Sequence, residues 1–390
     1  MKKILKRIIL LSIFVSTIST VIAKDDNITI NVYNWGEYIS NGSDGGLNVN
    51  AQFTKETGIN VNYTTFQTNE ELFAKLSGGG ANYDVIIPSD YTISKLIEND
   101  MLHKLDFNNI PNYNFIDNNF RNLEYDSKNE YAVPYTWGVV GIYYNKKYVN
   151  EREEDIDWNI LWNKKYSGKI LMFDNARDSF GISLIRLGKS INSTNEDDLH
   201  KAYQELIDQK PLVQSYVMDQ IFDKIGNSEA VLAPYYSGDA ALIMKNNPDI
   251  GFVIPKNGSI KFVDSMCIPK GAKYKEEAEK YINFMCRTDI ALENISYIGY
   301  SSPQREVMDI LSKDNSYNKF SYPDDDTIKN CEIFLNLPSE VNILLNSLWI
   351  EVKIGTDSNW ILFLATILGF IILYISVYIY KKRKNKLFYK

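Results

Sequence analysis

The 390-residue sequence predicts an α/β protein of two lobes around a cleft, followed by one C-terminal helix long enough to cross a bilayer. Short strands and helices alternate in two successive sets, the signature of parallel sheets covered on both faces. Two Pro- and aromatic-rich passages join the sets, so the chain leaves the first lobe and later returns to it. Finally, residues 360–380 (WILFLATILGFIILYISVYIY) form 21 uncharged positions, the length a helix needs to span about 30 Å of hydrocarbon. A chain of this length is expected to hold two cores.

Residues 1–23 join a basic start (Lys2, Lys3, Lys6, Arg7) to an apolar run ending in small residues. This reads as a secretory signal peptide, with an uncleaved anchor as the alternative. The first lobe, 24–136, begins with the alternating strand Ile28, Ile30, Val32 and the loop Tyr33-Asn34-Trp35-Gly36-Glu37-Tyr38. A helix ends before Gly58, a strand covers 59–63, a helix runs over 69–77 into Gly78-Gly79-Gly80, and the apolar strand 83–88 leads to Ser89-Asp90-Tyr91. Residues 132–138 (AVPYTWG) read as a passage rather than an element. The second lobe, 137–261, holds strands at 139–144, 169–173, 229–234 and 250–254, and helices near 158–164, 179–188, 196–209 and 238–246. A second passage, 262–269 (FVDSMCIP), opens a return to the first lobe over 262–310. Helices over 311–355, among them 325–335 and 339–354, are expected to pack on the second lobe. After the expected spanning helix comes a basic cytoplasmic tail, 381–390, which orients the body of the chain outside the cell membrane as a single-pass protein.

Charge narrows the function. The net −7 combines two basic ends with a middle, 24–380, of 32 basic against 49 acidic residues, a formal −17. Nucleic acid is not an expected partner; a cationic solute is. Catalytic equipment is sparse: His103 and His200 stand in no metal spacing, and no lysine-bearing phosphate loop, GxGxxG turn or GxSxG elbow is present. No enzyme activity, cofactor or metal is therefore expected. The three cysteines, Cys267, Cys286 and Cys331, fit no metal spacing and cannot all pair.

Acids beside aromatics recur at the loop ends of strands. They occur in Trp35-Gly36-Glu37-Tyr38, Ser89-Asp90-Tyr91, Asp174-Asn175-Ala176-Arg177-Asp178, Tyr235-Tyr236-Ser237-Gly238-Asp239 and Phe262-Val263-Asp264-Ser265, with Tyr300 after a helix. Ligands of open α/β sheets bind outside the carboxyl ends of strands. A desolvated ammonium must be paired, and aromatic faces attract it. Carboxylates spaced along an aromatic-walled cleft therefore suit a linear polycation.

These residues carry a resemblance. In YNWGEY, FTKETGI, YDVIIPSDY, VPYTWG, LMFDNARDSF, YSGDAA, VDSMCIPKGA, IGYSSP and YPDDDTIKN, from about residue 31 to 355, the chain resembles the substrate-binding proteins of spermidine/putrescine ABC transporters. The resemblance implies the periplasmic-binding-protein fold of the second type, a polyamine ligand (putrescine or spermidine) and delivery to an ABC permease. It further implies that Trp35 and Tyr38 wall the ligand, that Glu37 lies near a terminal amine, and that Ser89 and Tyr91 contact it from the second loop. Asp178 would sit near the other end, Asp264 at the secondary or second amine, with Tyr300 as an aromatic contact. The chain departs from spermidine-preferring members with Tyr236 and Phe262 in place of Trp, Asn175 in place of Asp and Phe334 in place of Gln. Asp239 stands where putrescine-preferring members place an acid. The ligand class is unaffected, and the preferred polyamine stays open. The alternatives are a tethered solute sensor or a transport receptor for another small solute.

Overall fold

The computed structural model describes residues 28–80, 82–313, 321–354 and 366–370; the expected leader over 1–23 and tail over 381–390 lie outside them. The first lobe opens with β1 (Thr29–Trp35), whose alternate side chains Ile30 and Val32 are fully buried. Next comes α1 (Val49–Thr57). Asn48 caps it by accepting from the Ala51 N–H, and Gly58 closes it in the left-handed region at φ 74°, where a Cβ would be strained. β2 (Asn60–Phe66), α2 (Asn69–Ser77), β3 (Val85–Ile86) and α3 (Asp90–Glu98) follow. β1 pairs in parallel with both β2 and β3.

The chain then enters β4 (Ala132–Asn145), 14 residues buried along their whole length. Residues 132–138, expected as an irregular passage, are the first half of this strand. Their run of Val, Tyr, Thr and Trp suits a pleated surface covered on both faces. Pro134 is accommodated because the ladder with β9 (Ser259–Cys267) slips between Pro134 and Thr136, where its missing N–H is not needed.

The second lobe comprises β5 (Ile170–Phe173), α4 (Ala176–Arg186), α5 (Glu196–Gln209), β6 (Val213–Val217), α6 (Ile221–Gly226), β7 (Leu232–Tyr236), α7 (Ala240–Asn246) and β8 (Ile250–Val253). β5 is parallel to both β6 and β7, while β7 and β8 run antiparallel to β4. In place of a helix over 158–164 there are two 3-10 turns, Trp158–Trp162 and Lys164–Tyr166. Asp157 and Asn163 cap them, and the side chains of such residues compete with longer helices. Trp158 is fully buried and donates its indole N–H to the Gly258 carbonyl at 2.8 Å.

β9 (Ser259–Cys267) returns antiparallel to β4, from Cys267 opposite Ala132 to Lys261 opposite Val139, and meets β3 at Ile86. The strand order is β2-β1-β3-β9-β4-β7-β5-β6, with β8 on β4 and β10 (Cys331–Ile333) on β9. The expected second passage is thus also a strand, and β4 with β9 forms a ribbon linking the lobes. α8 (Lys275–Met285), α9 (Thr288–Ile298) and α10 (Arg305–Leu311) rejoin the first lobe, whose core gathers Ile30, Val32, Phe53, Tyr281 and Ile282. The helix expected over 325–335 is split into α11 (Asp325–Lys329) and β10 (Cys331–Ile333). Asn330 ends the helix, and the strand gains a parallel pairing with β9. α12 (Ser339–Ile354) sets Leu345, Leu348, Trp349 and Val352 into the second core, with Trp158, Phe173, Phe180 and Phe252. The three cysteines are free, and Cys267 and Cys286 are buried.

The membrane-spanning C-terminal helix, and with it the single-pass placement, is corrected. Among the described residues no helix is long and apolar enough to cross a membrane. Of 360–380 only 366–370 is described, as helix; five residues rise about 7.5 Å, a quarter of a hydrocarbon core. The rest of that stretch lies outside the described residues.

Candidate functional site

Strand ends of both lobes converge on a cleft of about 680 Å³, its open mouth included. From the first lobe come Trp35, Gly36 and Tyr38 after β1, Asn69 at the start of α2, and Ser89, Asp90 and Tyr91 after β3. From the second come Asn175 and Asp178 after β5, Met218 and Asp219 after β6, Phe222, and Tyr235, Tyr236 and Asp239 at the end of β7. β9 supplies Ile260, Phe262 and Asp264; Tyr300 and Phe334 complete the lining. No Lys or Arg is among these residues.

Three tyrosines each hold one carboxylate. Tyr38 donates to Asp264 Oδ2 at 2.7 Å, Tyr236 to Asp178 Oδ2 at 3.0 Å and Tyr300 to Asp239 Oδ2 at 2.8 Å. Their rings form a continuous wall. Tyr38 meets Tyr300 edge-on at 4.7 Å, and Phe262 meets Tyr236 at 5.2 Å and Tyr300 at 6.2 Å. Such edge-to-face contacts fix the rings, and hence the hydroxyls. At the other end Tyr91 packs edge-on to Phe334 at 5.9 Å and donates to Glu70 at 3.1 Å. The buried Arg177 guanidinium lies 5.2 Å from the Tyr91 ring and 4.5 Å from that of Phe334.

Local backbone chemistry explains these placements. Asn175 caps α4 by accepting from the Arg177 and Asp178 N–H groups, which turns Asp178 inward on the first turn. Asp90 accepts from its neighbour Tyr91 N–H at 2.7 Å and from Val263 N–H at 3.3 Å, tying the first-lobe loop to β9. Ser89 faces Asp264 across an isolated β-bridge.

Burial pushes these carboxyls up: Asp264 to about 6, Asp178 to about 7, Asp90 to about 8 and Asp239 to about 8. Neighbouring acids add to it, Glu70 and Asp264 for Asp178, and Asp219 and Glu37 for Asp239. Among the described residues, Asp264 Oδ1 and Trp35 Nε1 are buried without a hydrogen-bond partner. The arrangement accepts positive charge at several points and offers flat apolar faces between them. Among the described residues no His, Cys, Asp and Glu cluster is placed to hold a metal.

Of the residues singled out in the sequence, Trp35, Tyr38, Ser89, Tyr91, Asn175, Asp178, Tyr236, Asp239, Phe262, Asp264 and Tyr300 all reach the cleft. Glu37 does not. Its backbone is left-handed (φ 49°) and its side chain is exposed. Asn69, Asp90, Asp219, Phe222 and Tyr235 were missed. Asp90 and Tyr235 sit beside chosen residues in the same loops; Asp219 follows a strand, β6, that the sequence reading did not recognise.

Two α/β lobes on a strand ribbon, with an acid-lined cleft between them, define a solute-binding protein. More particularly, the chain belongs to the bacterial extracellular solute-binding protein family, whose profile matches residues 48–319. It is 37% identical over 310 residues to the spermidine/putrescine-binding periplasmic protein of Escherichia coli (strain K12), covering 79% of this chain and 87% of that one. It is 28% identical over 347 residues to the putrescine-binding periplasmic protein SpuD of Pseudomonas aeruginosa (strain UCBPP-PA14), covering 85% and 93%. The structure of the spermidine/putrescine ABC transporter substrate-binding protein PotD of Streptococcus pneumoniae superposes with a TM-score of 0.70 at 33% identity, over 84% of this chain and 99% of that one. The resemblance read from the motifs therefore holds, and these relatives are binding proteins, not enzymes.

Proposed function

We propose that this protein captures a linear polyamine, putrescine or spermidine, in the interlobe cleft and hands it to an ABC permease. One observation carries the reading: Asp178, Asp239 and Asp264 are buried, each held by a tyrosine hydroxyl, in a cleft lined by aromatics and by no basic side chain. Carboxylates removed from water are costly unless paired, and a chain of ammonium groups pairs them while its methylenes lie on the rings. Trp35, Tyr38, Tyr91, Tyr236, Phe262 and Tyr300 act as walls, and Asp264 holds the secondary amine of spermidine or the second amine of putrescine, with Asp178 and Asp239 to either side. Ser89 and Asn175 orient the acids. The names of the relatives support the same ligand class. Residues 1–23 serve as the export leader.

Calorimetry of the purified protein with putrescine and with spermidine tests this. Saturable binding of one or both is expected; no heat and no thermal shift with either at millimolar concentration would end the proposal.

A further inference from the structure

Near Trp35 the groove ends on a carboxylate that does not come from the Trp35 loop. Glu37 is exposed and is not among the residues that line the cleft. Asp219, in the loop between β6 and α6 of the second lobe, lines the cleft instead. It accepts from the Gln67 side-chain amide at 3.3 Å and from the Tyr235 hydroxyl at 3.4 Å. Both are long bonds from neutral donors, and Gln67 belongs to the first lobe.

Gly36 explains how the carboxylate gets there. A Cβ at this position would overlap Asp219 Oδ2. Gly36 is not among the residues of positive φ, so glycine is required here for room rather than for backbone freedom. Asp219 and Asp239 are near enough to repel, since the charge of Asp219, like that of Glu37, helps hold the Asp239 carboxyl up. A cation between them relieves that repulsion.

We propose that Asp219, rather than Glu37, is the specificity-determining acid at the Trp35 end, flanking the ligand's terminal ammonium together with Asp239. The inference rests on the polyamine reading above. Because Asp219 comes from the second lobe and lies on Gly36 and Gln67 of the first, a terminal charge there binds across the interface between the lobes. A ligand without a terminal charge gains nothing from it.

The test compares the wild-type chain with Asp219→Asn, Glu37→Gln and Gly36→Ala by calorimetry with spermidine and putrescine, alongside ligand-free melting. Asp219→Asn is expected to weaken the better-bound polyamine at least tenfold and Glu37→Gln less than twofold. Gly36→Ala, which keeps every carboxylate but displaces this one, should cost at least fivefold, with ligand-free melting within about 2 °C of wild type for all three. Wild-type affinity in Asp219→Asn, or an equal loss in Glu37→Gln, overturns the role of Asp219 while leaving polyamine binding intact. Failure of the wild-type chain to bind either polyamine removes the polyamine reading itself, and this inference with it.

Discussion

Replacing Asp264 with Asn should move stability and affinity in different directions. Its carboxyl is raised from 3.8 to about 6 by burial. Keeping it ionised at pH 7 therefore costs the ligand-free fold about 3 kcal/mol, at 1.36 kcal/mol per pKa unit. Asn removes that cost and still offers an acceptor to the Tyr38 hydroxyl, now 2.7 Å from Oδ2. Against this, the amide placed where Oδ1 has no partner leaves a buried donor unsatisfied, a penalty of about 1 to 3 kcal/mol. The ligand-free variant should accordingly melt no lower than wild type and up to about 4 °C higher, taking about 2 °C per kcal/mol for a protein of this size. Binding loses a buried charge pair, about 2 to 5 kcal/mol, or about 30- to 4000-fold in Kd. Differential scanning calorimetry and titration calorimetry on one preparation read both. An affinity within threefold of wild type, or a ligand-free melting temperature lowered by more than about 3 °C, would refute the reasoning.

The raised carboxyls also predict opposite pH trends for the free and bound protein. Folded-state pKa values of about 6, 7 and 8 at Asp264, Asp178 and Asp239 lie above the ordinary 3.8. Their stabilising contribution to the ligand-free fold is full below about pH 4 and is lost as pH rises through 6 to 8. Polyamine binding needs the ionised forms, so affinity should rise from pH 5.5 to 8 with release of protons, visible as a buffer-dependent heat; a flat affinity over that range contradicts it. Gly238→Ala should weaken binding at least tenfold and lower the melting temperature, because the added Cβ would overlap the Tyr300 ring that positions Asp239. Overpacking of this kind costs about 1 to 3 kcal/mol. Unchanged binding and melting would mean that the ring yields freely.

What was legible in the sequence is what local periodicity encodes. Ile30 and Val32 alternate because β1 does, and Gly58 closes α1 as local rules require. The loop acids and aromatics could be picked out because they follow recognisable strands. Where local signals conflict, the reading failed. Pro134 argued against a strand over 132–138, yet the slip opposite β9 removes the objection. Asn330 and Cys331 turn from helix to strand because β9 offers an edge, a contact across about 70 positions that no window of sequence contains.

The sequence by itself determined the two α/β lobes, the acidic and aromatic character of the loops and the class of solute they suit, since these follow from composition and short-range pattern. Only the tertiary structure decided which acids share the cleft. Glu37 lies exposed and outside the cleft lining, and the room above Gly36 admits a carboxylate from more than 180 positions further along the chain. The distance between two side chains is set by how lobes close on one another, and that closure belongs to the packed whole rather than to any segment.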